Sequence, residues 1–207
     1  MQDDILSLLP MRKGHFRLES GHHGDLWLNL ERLCLHPERV QPLAAELARR
    51  LSGHDVHIVC GPLVEGAFVA LMVASELDVE FVYSERLAPS QNDGLYPVAY
   101  RLPGALRDAV RGKRVAIVND VINAGSAVRG TFADLLDCGA QPVAVGALLV
   151  LGSSAASFAA DQQVVLESLA TLPNSLWLPS ECPLCSSGVP LDTARDNCSS
   201  LCSPDPL

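Results

Sequence analysis

Apolar residues recur at helical spacing between Pro37 and Leu51, where Val40, Leu43, Leu47 and Leu51 share one face. Pro37 near the first turn and Gly53 just past the end complete the signature of an amphipathic helix. Elsewhere the apolar runs are short and continuous, as in strands buried on both faces of a parallel sheet. Such strands are predicted over 26–30, 56–60, 80–83, 98–101, 115–118 and 142–151, with weaker ones over 164–169 and 172–177. Further helices are predicted over 3–9, with Ile5, Leu8 and Leu9 on one side, over 65–77, and over 126–138. In the last of these Val128, Leu135 and Leu136 are expected in the core, and Gly139 is expected as the carboxyl cap. Residues 84–97 hold turn formers without periodicity and read as a mobile loop; from about 180 onward the chain reads as irregular. Alternating strands and helices imply βαβ units, hence an α/β fold around a central, mainly parallel sheet.

The chain has 207 residues, 48% of them hydrophobic, which suits one folded domain with a sizeable core. A net charge of −9, with only 15 Lys and Arg, disfavours nucleic acid as a partner. No apolar run approaches the roughly 18–20 residues that span a bilayer, and Met1-Gln2-Asp3-Asp4 is acidic where a secretory signal is basic. A cytoplasmic protein without membrane contact is the expectation.

The run Val115-Ala116-Ile117-Val118-Asn119-Asp120-Val121-Ile122-Asn123-Ala124-Gly125-Ser126-Ala127-Val128 passes from an apolar strand through a polar turn into a helix. Ligands of open α/β sheets bind at such strand ends. Gly125 lets backbone N–H groups approach an anion, Ser126 offers a hydroxyl or a helix cap, and the helix start adds partial positive charge. An ordinary βα turn fits this spacing equally well, so the run by itself leaves both readings open.

The same segment, continuing as Asn123-Ala124-Gly125-Ser126-Ala127-Val128-Arg129, resembles the phosphoribosyl-pyrophosphate (PRPP) loop of type I phosphoribosyltransferases, in particular its orotate phosphoribosyltransferase form. Upstream, Gly14-His15-Phe16-Arg17-Leu18-Glu19-Ser20-Gly21 with Asp25-Leu26-Trp27-Leu28-Asn29 resembles the substrate hood of the orotate enzymes. Between them, Cys60-Gly61-Pro62-Leu63-Val64-Glu65-Gly66 is similar to the family's pyrophosphate turn. The three occur in family order. The resemblance implies a phosphoribosyltransferase-like domain over 1–178, with a hood over about 1–35, and a Cys-rich tail over 179–207. It implies transfer of the 5-phosphoribosyl group from PRPP to a base, orotate being the first candidate, with release of pyrophosphate, Mg²⁺ as cofactor and a homodimer as the assembly.

On that resemblance Val121, Ile122, Asn123, Ala124, Gly125, Ser126 and Ala127 cradle the 5′-phosphate, while Gly61, Pro62 and Glu65 face pyrophosphate. Asp120, Asn119 and Arg86 are the catalytic candidates, and Trp27, Leu28 and Asn123 contact the base. An acidic protein binding a polyanion calls for a divalent cation and backbone dipoles. The chain also departs from the family pattern. Glu19 and Glu65 stand where lysines are usual, Asn119 replaces an acid, Arg86 is the one basic residue between Glu85 and Arg101, and Gly152-Ser153-Ser154 stands where an arginine reading the orotate carboxylate is expected. These departures keep a second reading in play, a PRPP- or nucleotide-binding regulatory protein with weakened catalysis. His22 and His23 could restore positive charge, or be exposed loop residues.

Cys182, Cys185, Cys198 and Cys202 form a C-x2-C-x12-C-x3-C array whose spacing could close a tetrahedral zinc site. Cys34, Cys60 and Cys138 read as small core residues.

Overall fold

In the computed structural model, which describes residues 2–87, 95–96 and 98–192, the predicted βαβ alternation is realised. The elements are α1 (Gln2–Leu8), β1 (Met11–Arg17), β2 (His23–Leu28), α2 (Pro37–Leu51), β3 (Ile58–Pro62), α3 (Glu65–Leu77), β4 (Glu80–Arg86) and β5 (Tyr100–Arg101). They continue with β6 (Arg114–Ile122), α4 (Ser126–Asp137), β7 (Gln141–Leu151), α5 (Ser154–Asp161), β8 (Val165–Leu172), β9 (Leu176–Trp177) and the single turn α6 (Pro183–Ser186).

Six strands form the main sheet in the order β5-β4-β3-β6-β7-β8, all parallel except the short edge strand β5. Helix α2 buries its predicted stripe, Val40, Leu43, Leu47 and Leu51, with Ile5 and Leu9 against one face of the sheet. Helix α4 covers the opposite face with Val128, Phe132 and Leu135, where Phe132 meets Phe158 of α5 edge to face at 5.4 Å. The strand residues between these layers, Val59, Ala116, Ile117, Val118 and Leu148, are fully buried, which is why they read as unbroken apolar runs. Three strands form a separate small sheet, β1-β2-β9, so the hood is completed by residues from the far end of the chain.

Several expectations are corrected. Strand β6 does not stop at Val118 but runs through Asn119 and Asp120 to Ile122, because its ladder with β7 continues (Asn119 opposite Ala147, Ile122 opposite Val150). Strand β4 likewise extends to Arg86 through pairing with β5, which shortens the loop expected over 84–97; residues 88–94 and 97 of it lie outside the described residues. Leu136 is 51% exposed, one residue round α4 from the buried Leu135. Cys34 is half-buried, whereas Cys60 and Cys138 are in the core. Of the strand expected over 172–177, Leu172 belongs to β8 and only Leu176–Trp177 pairs with the hood.

Candidate active site

A cleft of about 1080 Å³ opens at the carboxyl ends of β3, β4, β6 and β7, under the hood. Its lining includes Trp27 and Leu28 from β2, Pro62 and Glu65 around the β3–α3 turn, Arg86 at the end of β4, and every residue from Asn119 to Ala127. Four segments separated by tens of residues in the sequence therefore meet in one cavity. Gly61 lies outside the lining; a Cβ there would strike the Ala67 Cα and the Ala70 Cβ, so this glycine lets α3 pack against β3.

Asp120 is a buried residue of the cleft lining, and its Oδ2 has no hydrogen-bond partner. Burial raises its pKa to about 7, backbone hydrogen bonding from Val121 opposes the rise, and the neighbouring Glu65 carboxylate adds to it. A buried acceptor without a partner is suited to a ligand hydroxyl. Asn119 donates from Nδ2 to the Val121 carbonyl at 2.9 Å, and its Oδ1 fills the space a Cβ on Gly66 would need. Asn119 is thus fixed in orientation by its own strand and by the first turn of α3. The Leu63–Val64 peptide in the same turn is cis.

The loop leading into α4 is held from outside. Tyr96 Oη and Ser154 Oγ donate to the Ala124 carbonyl at 3.3 and 3.1 Å, and Asn174 Nδ2 donates to Asn123 Oδ1 at 2.8 Å. Gly125 adopts a φ of +85° and occupies the position before the helix, so the first N–H groups of α4, which have no partner within a helix, belong to Ser126 and Ala127 of the cleft lining. Gly125 takes the cap position of α4 and Ser126 is its first helical residue, contrary to the expectation of Ser126 as a cap. Free amides and a helix dipole at such a start can receive an anion.

The charge balance of the lining is acidic: Glu19, Glu31, Glu65 and Asp120 against Arg32 and Arg86. The Glu19 carboxylate is not unopposed, since Arg86 Nε pairs with its Oε2 at 3.1 Å and Tyr100 Oη donates to its Oε1 at 2.9 Å. Burial and Glu19 together push the Tyr100 hydroxyl pKa up, so it stays a donor.

Two features escaped the sequence reading. Arg129 places its guanidinium 4.5 Å from the Phe158 ring centroid and 5.1 Å from that of Tyr96, with Nε buried and unpartnered behind Gly125. Its position four residues after Gly125, on the helix face returning to the loop, is the signal that could have found it. Asn29 lines the cleft and also keeps a buried, unpartnered Oδ1. The histidine pair divides: His22 contacts Ser20 Oγ at 3.0 Å and Tyr96, and burial with Arg129 nearby lowers its pKa, so it adds no charge at neutral pH. His23 is buried on the hood, away from the cleft lining, beside His15, Cys182 and Cys185. Cys198 and Cys202 lie outside the described residues.

No family model matches the chain. It is 32% identical over 180 residues to the orotate phosphoribosyltransferase of Desulforamulus reducens, covering 87% of each chain. Among solved structures it is similar to orotate phosphoribosyltransferase from Aeropyrum pernix (TM-score 0.62, 24% identity, 83% of this chain and 94% of that one). It is also similar to adenine phosphoribosyltransferase from Thermoanaerobacter pseudethanolicus (TM-score 0.65, 16% identity, 83% and 100%), so the fold alone does not select the base. Sequence identity does what the fold cannot, and on it this chain belongs to the orotate phosphoribosyltransferase family.

Proposed function

We propose that the protein transfers the 5-phosphoribosyl group of PRPP to orotate, releasing pyrophosphate and forming a nucleoside 5′-monophosphate. The observation that carries this reading is the convergence of the Asn123–Ala127 anion site, the unpartnered Asp120 Oδ2 and the apolar Trp27–Leu28 wall on one cleft. The amides of the loop and of the α4 start hold the 5′-phosphate. Asp120 accepts from a ribose hydroxyl and places negative charge beside the ribose as positive charge develops there. Trp27 and Leu28 flank the base, and Asn123 stands where it can reach both ribose phosphate and base. Pro62 and Glu65 border the pyrophosphate end, while Arg86, released from Glu19, offers the leaving group a cation.

Excess carboxylate in the lining would repel a polyanion, and hard oxygen donors of this kind suit Mg²⁺. Glu65 and Asp120 of the lining would hold it, directly or through water, and it would supply charge neutralisation at pyrophosphate. The active unit is a homodimer in the cytoplasm. Supporting the dimer, Val64 just before α3 and Phe68 and Leu71 on it fall at helical spacing and are 55, 46 and 52% exposed, an apolar stripe suited to a second copy. Among the described residues no helix is long and apolar enough to cross a membrane.

The test is pyrophosphate release on mixing the protein with PRPP, Mg²⁺ and each of several bases. Release is expected with orotate and lost on chelating Mg²⁺. Release with adenine and none with orotate would reassign the acceptor, and PRPP binding without turnover of any base would make the protein a sensor.

A further inference from the structure

We propose that His15, His23, Cys182 and Cys185 bind a structural zinc ion that staples the end of the chain to the hood. The four ligand atoms lie within 4.8 Å of one another. His15 Nε2 is 3.0 Å from His23 Nδ1, 3.3 Å from Cys182 Sγ and 3.6 Å from Cys185 Sγ, and Cys185 Sγ is 3.3 Å from His23 Nδ1. A tetrahedral ion with Zn–S of about 2.3 Å and Zn–N of about 2.0 Å sets its sulfur–nitrogen edges at about 3.5 Å and its nitrogen–nitrogen edge at about 3.3 Å. The observed separations match those edges to within a few tenths of an ångström.

Hydrogen bonding alone does not explain the cluster. His15 Nδ1 lies 2.7 Å from the Val189 carbonyl oxygen, which can only accept, so that nitrogen carries the proton. Nε2 is then left with one lone pair facing three groups. A cation satisfies all four ligands at once, and the Val189 contact is the outer partner that fixes a ligating imidazole. Two thiolates also neutralise a divalent ion, which keeps the burial of His15, His23 and Cys182 inexpensive. Two sulfurs and two nitrogens in a tetrahedron select zinc over Mg²⁺ or Ca²⁺.

The fold builds the site from both chain ends. His15 sits where the β1–β2 register shifts between Lys13 and Phe16, and His23 opens β2 opposite Trp177 of β9. Cys182 caps α6 and Cys185 lies within it, giving the compact C-x2-C knuckle. The Asp192 N–H donates to the His15 carbonyl at 2.6 Å and Arg12 pairs with Asp192 at 3.3 Å, drawing the same segment onto β1. The ligand set differs from the four-cysteine array in the sequence, since two hood histidines take the places of Cys198 and Cys202.

The test is metal analysis of the full chain prepared with zinc, followed by replacement with Co²⁺. About one zinc per chain is expected in the unmodified protein and in Cys198→Ser/Cys202→Ser, and little or none in Cys182→Ser/Cys185→Ser or His15→Gln/His23→Gln. Because those last variants could fail to fold, the Co²⁺ spectrum of the unmodified chain is the second readout: tetrahedral bands with charge transfer from two thiolates are expected. A chain that takes up no metal overturns the proposal. So does a four-thiolate spectrum, or metal lost from Cys198→Ser/Cys202→Ser and kept by His15→Gln/His23→Gln.

Discussion

Replacing Asp120 with asparagine removes a buried carboxyl while keeping its shape. Its pKa of about 7 in the fold stands above the ordinary 3.8, so the native state binds the proton more tightly than the unfolded chain. Between those two values stability therefore falls as pH rises, and above about 7 the full cost of the buried charge is present. At about 1.4 kcal/mol per pH unit, the cost grows by about 3 kcal/mol between pH 5 and pH 7 and then levels off. The amide introduced by Asp120→Asn carries its own desolvation cost of about 1–3 kcal/mol, but that cost does not depend on pH. The informative quantity is therefore the difference between the two proteins at pH 8 minus their difference at pH 5. Urea unfolding reads it, and with a slope of about 1–3 kcal/mol per molar urea the midpoint gap should widen by about 1 M or more in favour of Asp120→Asn at pH 8. Parallel pH–stability curves, or a variant that loses ground as pH rises, would refute the assignment of a buried, uncompensated carboxyl. The same variant should lose turnover by on the order of 100-fold, since the amide supplies no charge to the transition state.

The other outcomes probe the surroundings of that carboxyl. Glu65→Gln removes the like charge beside Asp120, so the pH at which the decline in stability levels off should move down in the same urea series. Gly66→Ala would ordinarily gain up to about 1 kcal/mol as a helix substitution; here the new Cβ overlaps Asn119 Oδ1, and a net loss of about 1–3 kcal/mol is expected by denaturant unfolding. Phe68→Glu places a charge in the exposed stripe of α3 and should convert a dimer to monomer in sedimentation velocity, with the far-ultraviolet circular dichroism unchanged.

Legibility in the sequence followed how local each signal is. Helices α2 and α3 have the predicted limits because their apolar spacing and end residues are contained within one segment. Strand β1, with the sequence MRKGHFR, has no apolar pattern to read; it is a strand because β2 pairs with it. Helix α5 follows Gly152-Ser153, which reads as a turn, and its small alanine-rich face needs Phe158 packed on α4 to hold it. At the site, the strand–turn–helix run was legible because an apolar strand, a glycine and a helix start lie together, while its expected phosphate role came from the family resemblance. The Arg86–Glu19 pair, Arg129 behind the loop and the two histidines beside Cys182 and Cys185 depend on elements far apart in the chain. The departures at Glu19 and Asn119 look like losses in the sequence, yet in the fold each is held by specific partners, Arg86 and Tyr100 for one, Val121 and the α3 turn for the other.

Whether the cleft turns PRPP over on orotate is decided by the identity of the product from a single turnover with PRPP, orotate and Mg²⁺, read by mass spectrometry. Orotidine 5′-monophosphate in an amount equal to the pyrophosphate released, and absent with Asp120→Asn on the same timescale, is the result expected of this cleft. PRPP recovered unchanged from protein that binds it tightly would contradict it.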